Sequence, residues 1–418
     1  MARIKDSCFA ASENSMRIDE ALALLRDRLE PVCGVETVPL RQALNRTLAS
    51  DVIAGRDVPP HDNSAMDGYA VFFDDLNADG ETRLPVAGRI AAGHPLKTTA
   101  ERGNAYRIFT GAAMPDGPDT VIMQEHCQAD GAMVVLKPGI ARGGNRRRKG
   151  EDITAGSTIL KKGIRLRPQE IALAASVGTA ALEVRNRLRA AMFSTGDELR
   201  DPSMDAPEGC IYDTNRFAVM GLLEGLGCMV TDLGVMPDDL NVIREALAGA
   251  AQDHDVVITS GGVSVGEEDH VKEAVQSLGA LHFWRLAIRP GRPVALGQVG
   301  AAVFIGLPGN PVSSMVTFML IARPVLLALS GRNHAEPPRF KAPSGFNFAK
   351  APGRREWLRA RLEKDENGRL TVMKFHSEGS GVLSSMVDAH GLVEVAEDAP
   401  PIRKGDMVDF LPFNELSQ

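Results

Sequence analysis

The chain has 418 residues, a net charge of −7 and the charged and apolar content of an ordinary globular protein. That length exceeds what one core can fill, so about two to four domains are expected. The acidic balance argues against sequence-independent nucleic-acid binding, which needs a basic face. An anionic substrate would have to be captured by local Arg and backbone N–H groups against the mean field.

The five cysteines are Cys8, Cys33, Cys127, Cys210 and Cys228. They include no C-x-x-C pair and are odd in number, so neither a disulfide framework nor a zinc site is expected. No apolar signal core opens the chain. The most apolar stretch, 312–330, carries Arg323 and Pro324, which suits a buried core helix better than a membrane span. These readings point to a cytosolic protein without a membrane partner.

In chain order, Ile18, Leu22, Leu25 and Leu29 recur at helical spacing, with Asp19 a candidate cap. A second short helix is expected over 40–48. From 52 to 138 the texture changes to short strands, at 86–90, 106–109, 121–124 and 134–136, with Asp130-Gly131 as a hairpin turn. Helical pattern returns over 168–177, with Pro168 placed as a first helical residue and Gly178 as a C-terminal cap. The two helical pieces would pack together, and the β segment would be an insertion between them.

From 189 to about 332, strands and helices alternate, which implies a parallel sheet with helices on both faces. Strands are expected at 190–194, 229–233, 255–259 and 303–306. Helices are expected at 217–226, 240–251, 271–278 and 312–330. The remainder, 337–418, reads as strands and turns, with Asn367-Gly368 as a hairpin signal.

The strand at 255–259 runs into the glycine-rich loop Ser260-Gly261-Gly262-Val263-Ser264-Val265-Gly266. Glycines there let backbone N–H groups approach phosphate oxygens, and Ser260 and Ser264 add hydroxyls. Glu267, Glu268 and Asp269 follow at once. Carboxylates beside an anion loop repel unless a cation intervenes, and Mg²⁺ with phosphate is the usual answer. The same residues also read as a tight strand–helix turn with an acidic helix start.

A second junction, Gly306-Leu-Pro308-Gly-Asn310-Pro311-Val-Ser313-Ser314, offers Asn310 as N-cap and a helix start that favours anions. Arg285, Arg289 and Arg292 lie in a segment stiffened by Pro290, Gly291 and Pro293, which suits bidentate capture of an oxyanion. An exposed basic turn is the plainer alternative. Asp197 and Glu198 follow the first strand of the same sheet and would face the same crevice. Asp238 and Asp239 begin a helix and also read as simple caps. Asp67 before Gly68 is a turn residue or a ligand contact, and Arg147 sits in a basic loop backed by Glu151 and Asp152.

Together these words resemble the molybdopterin molybdenumtransferases, whose eukaryotic relatives include the gephyrin E domain. The matching stretches are DNSAMDGYA at 62–70, Thr110-Gly111, R-x-x-GED from Arg147, TGDEL from Thr195, YDTN at 212–215, TSGGVSVG at 259–266, the PG-x-P turn at 290–293, GLPGNPVSS at 306–314 and GSG–LSSM at 379–386. The resemblance implies a multidomain α/β plus β protein. A discontinuous helical linking domain would span 16–54 and 150–187, an inserted β domain 55–149, and a doubly wound parallel-sheet molybdopterin-binding domain 188–335. A C-terminal β-barrel-like domain would span 336–418.

The resemblance further implies an elongated homodimer that inserts molybdenum from molybdate into adenylylated molybdopterin, with Mg²⁺ assisting and AMP released. A molybdopterin adenylyltransferase and apo-molybdoenzymes would be its partners. By matching motifs, Asp67, Asp197, Glu198 and Asp269 would be catalytic, and Glu198, Asp238 and Asp269 would hold the metal. Thr110, Arg147, Ser260, Gly261, Gly262, Ser264, Arg285, Arg289, Arg292, Pro293, Pro308, Pro311, Ser313, Arg359 and Ser384 would bind substrate.

The chain departs from the family pattern in carrying Arg at 285, 289 and 292, where Lys is usual. Charge is kept while a planar fork replaces a point charge. His61 and Arg146 also stand where less polar residues are common. Two other functions share parts of this pattern. A pterin adenylyltransferase or phosphohydrolase would use the glycine-rich loop without needing the β insertion or the C-terminal region. A dimeric scaffold would use the fold without chemistry.

Overall fold

In the computed structural model the described residues are 15–26, 28–262, 270–291, 293–333 and 336–417. The first helix, Ile18–Arg26, buries Ile18, Ala21 and Leu25. Asp19 lies inside it rather than capping it, because its carboxylate is taken by Arg355, 336 residues away, at 2.6 and 2.9 Å. The helix expected over 40–48 is a single 3-10 turn, Leu40–Gln42. Asn45 adopts φ +64°, the left-handed region in which a right-handed helix cannot continue.

The segments on either side of the β insertion pair with each other. Val35–Pro39 runs antiparallel to Ala181–Arg185, and Val52–Ile53 to Thr158–Leu160. Val38, Leu48 and Val52 share one core with Leu166, Ala174 and Val184. This region therefore combines strand pairs with the helix Pro168–Ser176 instead of being purely helical. Between its halves lies a six-stranded mixed sheet. Its last hairpin, Cys127–Asp130 with Met133–Leu136, turns at Gly131, whose φ of +62° suits glycine.

The central sheet has six strands: β1 (Arg189–Thr195), β2 (Met229–Met236), β3 (Val256–Ser260), β4 (Gly279–Arg285), β5 (Pro293–Val299) and β6 (Ala302–Leu307). Their spatial order is β2-β1-β3-β6-β5-β4. The first four in that order are parallel, as the alternating pattern implies. The sheet is nevertheless mixed, since β5 and β4 continue it antiparallel. A hairpin-like return through 286–292 needs no crossover helix, so no helix separates these two strands in the sequence.

The helix Pro311–Leu329 is long and apolar enough to cross a membrane, yet 83% of its most apolar window is buried inside the molecule. It carries a π-helical turn at Phe318–Ala322, just before Arg323-Pro324, where proline removes a backbone donor.

The C-terminal region contributes five antiparallel-paired strands to a six-stranded sheet whose remaining strand is Ile288–Arg289. Its pairings run as an open path that one isolated bridge, Ser344 to Val372, bends back on itself. It is stitched to the rest of the chain at several points. Ile288–Arg289 pairs with Arg355 and Glu356, the first residues of the strand Arg355–Lys364. Arg355 also bonds Glu394 and Glu397, each at 3.1 Å, besides Asp19. Replacing Arg355 with alanine would leave the nearly buried Glu397 with only Arg17, 3.7 Å away, while Glu394 keeps Arg339 at 2.7 Å; removing one partner of a buried pair typically costs about 3 kcal/mol. Arg355→Ala is expected to lower the denaturation midpoint clearly in urea, and an unchanged midpoint would contradict this role.

Candidate functional site

Strand order reverses between β1 and β3, because the chain passes from β1 outward to β2 and then back across to β3. In parallel sheets, ligands bind at such a switch point, beyond the carboxyl ends of the strands. The loops leaving β1, β3 and β6 meet there. They line a cleft of about 1080 Å³ together with residues 288–291, Pro293, segment 211–215 and the C-terminal loop 378–381.

Glycine is required in the β3 loop on steric grounds. Gly261 has φ +93°, and a Cβ there would lie 2.9 Å from the Thr195 carbonyl oxygen. Gly262 has φ +62°, and a Cβ would meet the Val271 side chain at 2.3 Å. The Gly261 N–H was expected to face a ligand phosphate. It donates instead to the Leu307 carbonyl at 3.1 Å, which locks the β3 loop to the end of β6.

Asn215 completes this lock. Its Nδ2 donates to Ser260 Oγ and to the Gly309 carbonyl, both at 2.7 Å. Ser260 Oγ in turn donates to the Pro308 carbonyl at 3.3 Å. Asn215 is 9% exposed, and its Oδ1 is buried without a hydrogen-bond partner. A buried amide left half-satisfied is costly, so its retention on the cleft wall points to a use there.

Asn215 is held by its neighbour. Arg216 is 3% exposed and bonds Asp213 at 3.2 Å as well as Asp201 and Asp232. This cluster pins the lining segment to β2. The short pair Leu199–Arg200 with Ile211–Tyr212 brings Glu198 beside it.

The helix start at Pro311 departs from expectation. Asn310 occupies the N-cap position, with Pro311 first in the helix, but its side chain makes no capping bond. The first-turn N–H of Val312, which has no acceptor within the helix, donates to the Ser380 carbonyl at 3.0 Å. The C-terminal loop thus occupies a donor that the sequence left open for an anion. Arg289 is engaged in a similar way. Its Nη2 lies 3.0 Å from Glu378, and its Nη1 lies 3.4 Å from Glu356, which is 4% exposed and needs a cation. Burial pushes the Glu378 carboxyl up, but Lys374, Arg289 and Arg359 outweigh it and hold the group below its usual value.

Of the residues singled out in the sequence, Glu198, Ser260, Gly261, Gly262, Arg289, Pro293, Pro308, Pro311 and Ser313 come together in the cleft. Asp197 and Asp238 meet just outside its lining, where the Asp238 N–H donates to Asp197 Oδ1 at 3.2 Å. Asp239, not Asp238, is the helix cap, accepting from Asn241 and Val242 N–H groups.

Arg359 is buried beneath the cleft and supports it by donating to Ser385 Oγ and to the Ser377 and Gly379 carbonyls at 2.9–3.0 Å. Ser384 is exposed and starts the short helix Ser384–Asp388, whose Ser385 and Met386 are buried. Arg285 is exposed at the end of β4. Ser264, Asp269 and Arg292 lie outside the described residues. Among the described residues no group of three His, Cys, Asp or Glu side chains forms a metal cage. The Asp197 and Asp238 turns beside Glu198 do fit Mg²⁺, which commonly takes one or two carboxylates and fills its other positions with water and phosphate.

Asp67, Thr110 and Arg147 all lie on the β insertion and outside this cleft. The Thr110 N–H donates to Asp67 Oδ1 at 2.7 Å and holds that carboxyl below its usual value. Arg147 is exposed, on the short strand paired with Asn63–Ser64. Sequence reasoning missed Asn215, Glu378 and Glu356. Only Asn215 carried a signal, as the last residue of the YDTN word.

Ser203, through side chain and backbone, and then Arg216 pull the Asp201 carboxyl from 3.8 down to about 2. A depressed folded value means its contribution is present above 3.8 and lost as pH falls towards 2. Protection of the Ile211 and Asp213 amides from hydrogen exchange, corrected for intrinsic rate, is expected to fall over that window. In Arg216→Ala it should already be low at neutral pH. Constant protection in both proteins would refute this.

Residues 16–178 match the family described as MoeA N-terminal region (domain I and II). Residues 191–328 match a probable molybdopterin binding domain, and 341–413 the MoeA C-terminal region (domain IV). A molybdopterin molybdenumtransferase of Haemophilus influenzae is 39% identical over 407 residues, covering 96% of this chain and 99% of that one. Molybdopterin molybdenumtransferase 2 of Mycobacterium tuberculosis is 34% identical, covering 89% and 94%. The crystal structure of the molybdopterin biosynthesis moeA protein of Pyrococcus horikoshii superposes with a TM-score of 0.81 at 30% identity, covering 96% of this chain and all of that one.

Proposed function

The chain belongs to the molybdopterin molybdenumtransferase family, a transferase of molybdenum cofactor biosynthesis, and on that premise we propose that its cleft holds molybdate and adenylylated molybdopterin side by side. The observation that carries this reading is the convergence of six segments on one switch-point cleft with both carboxylates and arginines at its rim. Such a site suits positioning and charge neutralisation more than nucleophilic attack by the protein. The attacking sulfurs are those of the pterin dithiolene: two sulfur–molybdenum bonds form as one molybdenum–oxygen double bond breaks, and the displaced oxygen leaves as water with the two thiol protons. Water attacks the adenylyl phosphoanhydride, which breaks to leave the pterin phosphate and AMP.

In this proposal the β3 loop with Ser260, Gly262 and Ser264 receives the adenylyl phosphate. Glu198, Asp238 and Asp269 hold Mg²⁺, with Asp197 orienting Asp238 through its backbone. When bound, Mg²⁺ offsets phosphate charge. Arg289, Arg292, Pro293, Ser313 and the loop supported by Arg359 enclose molybdate, and Arg285, Pro308, Pro311 and Ser384 border it. Asp67, Thr110 and Arg147 reach a cleft only if a second copy brings them, which favours a homodimer.

The proposed division is a linking domain of 16–54 and 150–187, an inserted domain of 55–149, a pterin-binding domain of 188–335 and a C-terminal domain of 336–418. The protein would act in the cytoplasm, between a molybdopterin adenylyltransferase and apo-molybdoenzymes.

The test is AMP release from adenylylated molybdopterin in the presence of molybdate and Mg²⁺. Removing one charge at the site is expected to slow it by about 100-fold in Glu198→Gln. No release by the wild type, or full release by Glu198→Gln, would overturn the proposal.

A further inference from the structure

Away from the cleft, Arg46, Arg185, Arg187 and Arg332 line a small cavity at the joint between the linking segments and the central sheet's helices. Its walls come from residues 45–47, 185–188, 226–228 and 326–332. Arg165 stands close by, donating to Asn45 Oδ1 at 2.8 and 3.1 Å.

The compensating charge is short. Arg46 pairs with Glu36 at 2.5 Å. Among the described residues, no carboxylate pairs with Arg185, Arg187 or Arg332. Arg185 Nη1 donates to the Cys33 carbonyl at 3.2 Å. Arg332 reaches Thr47 Oγ1 and the Asn45 carbonyl only at 3.5 Å, the outer limit of a hydrogen bond. Burial first, and then Arg165 and Arg323, pull its guanidinium down to about 10. The helix ending at Leu329 presents its negative pole here, but that amounts to roughly half a charge, against three unpaired guanidinium groups. An arginine does not escape such a site by deprotonating at neutral pH.

We propose that this cavity binds a small inorganic anion, held by Arg332, Arg185 and Arg187. The space of about 30 Å³ exceeds the roughly 10–15 Å³ that one water needs, so an anion can replace the waters it would otherwise hold. The ligand bridges the linking segments, through residues 45–47 and 185–187, to the end of the Arg323–Leu329 helix. Its occupancy stabilises that joint by mass action. Halide and tetrahedral oxyanion share the required chemistry.

The test uses crystals of the full chain soaked separately in sodium bromide and sodium selenate, with anomalous maps, and thermal titrations with the same salts in low-anion buffer. A peak between Arg332 and Arg185 is expected with at least one ion, and the ion that gives it identifies halide or oxyanion. The thermal midpoint should rise saturably, and Arg332→Met should raise the half-saturating concentration about tenfold, the loss of one modest charge contact. Arg187→Gln, at an exposed position that tolerates change, should act in the same direction. No peak with either ion, or identical titrations for wild type and both variants, would overturn the proposal.

Discussion

Parallel pairing of β1, β3 and β6 is the constraint from which the site follows. It sends three loops out at one edge, and the reversal of strand order between β1 and β3 keeps helices from covering that edge. The loops would splay apart without cross-links. Asn215 ties the β3 loop to the β6 loop, the Gly261 N–H ties it to Leu307, and Arg216 fixes the segment that carries Asn215. The glycines at 261 and 262 serve this closure directly, because side chains there would strike Thr195 and Val271.

The same geometry decides how charge is handled. Groups that look available in the sequence are already engaged across the cleft. Arg289 is paired with Glu378 and Glu356, and the Val312 N–H bonds the Ser380 carbonyl. The C-terminal loop therefore stands where an anion would otherwise find its donors. Arg359, buried under that loop, fixes its position through two carbonyls and a serine hydroxyl. In the proposed function an oxyanion entering the cleft would compete with Glu378 for Arg289, which would couple ligand binding to the placement of the C-terminal region.

The strand–helix alternation was legible because β1, β3 and β6 are short, buried runs and the helix Asn215–Gly225 has a clear stop at Gly227, with φ +85°. The glycine-rich loop and the Pro311 helix start were legible for the same reason. What stayed hidden depends on partners distant in sequence. Asp19 looks like a cap until Arg355, 336 residues on, claims it. β5 is mostly buried and lacks alternation, β4 lies at the sheet's edge, and the segment between them stands out in the sequence for its arginines instead. The residues at 40–48 have helical composition, but Asn45 and the bridge from Leu48 to Val184 take them elsewhere. Glu356 and Glu378 carry no local signal, since their importance lies only in what Arg289 needs.

The central claim is that the switch-point cleft is where the oxyanion binds. Soaking crystals with tungstate, a heavy stand-in for molybdate, and locating it by anomalous scattering tests this most directly. The account predicts a peak inside the cleft, between the Arg289–Pro293 turn and Ser313. Density confined to sites outside the cleft, at saturating tungstate, would contradict it.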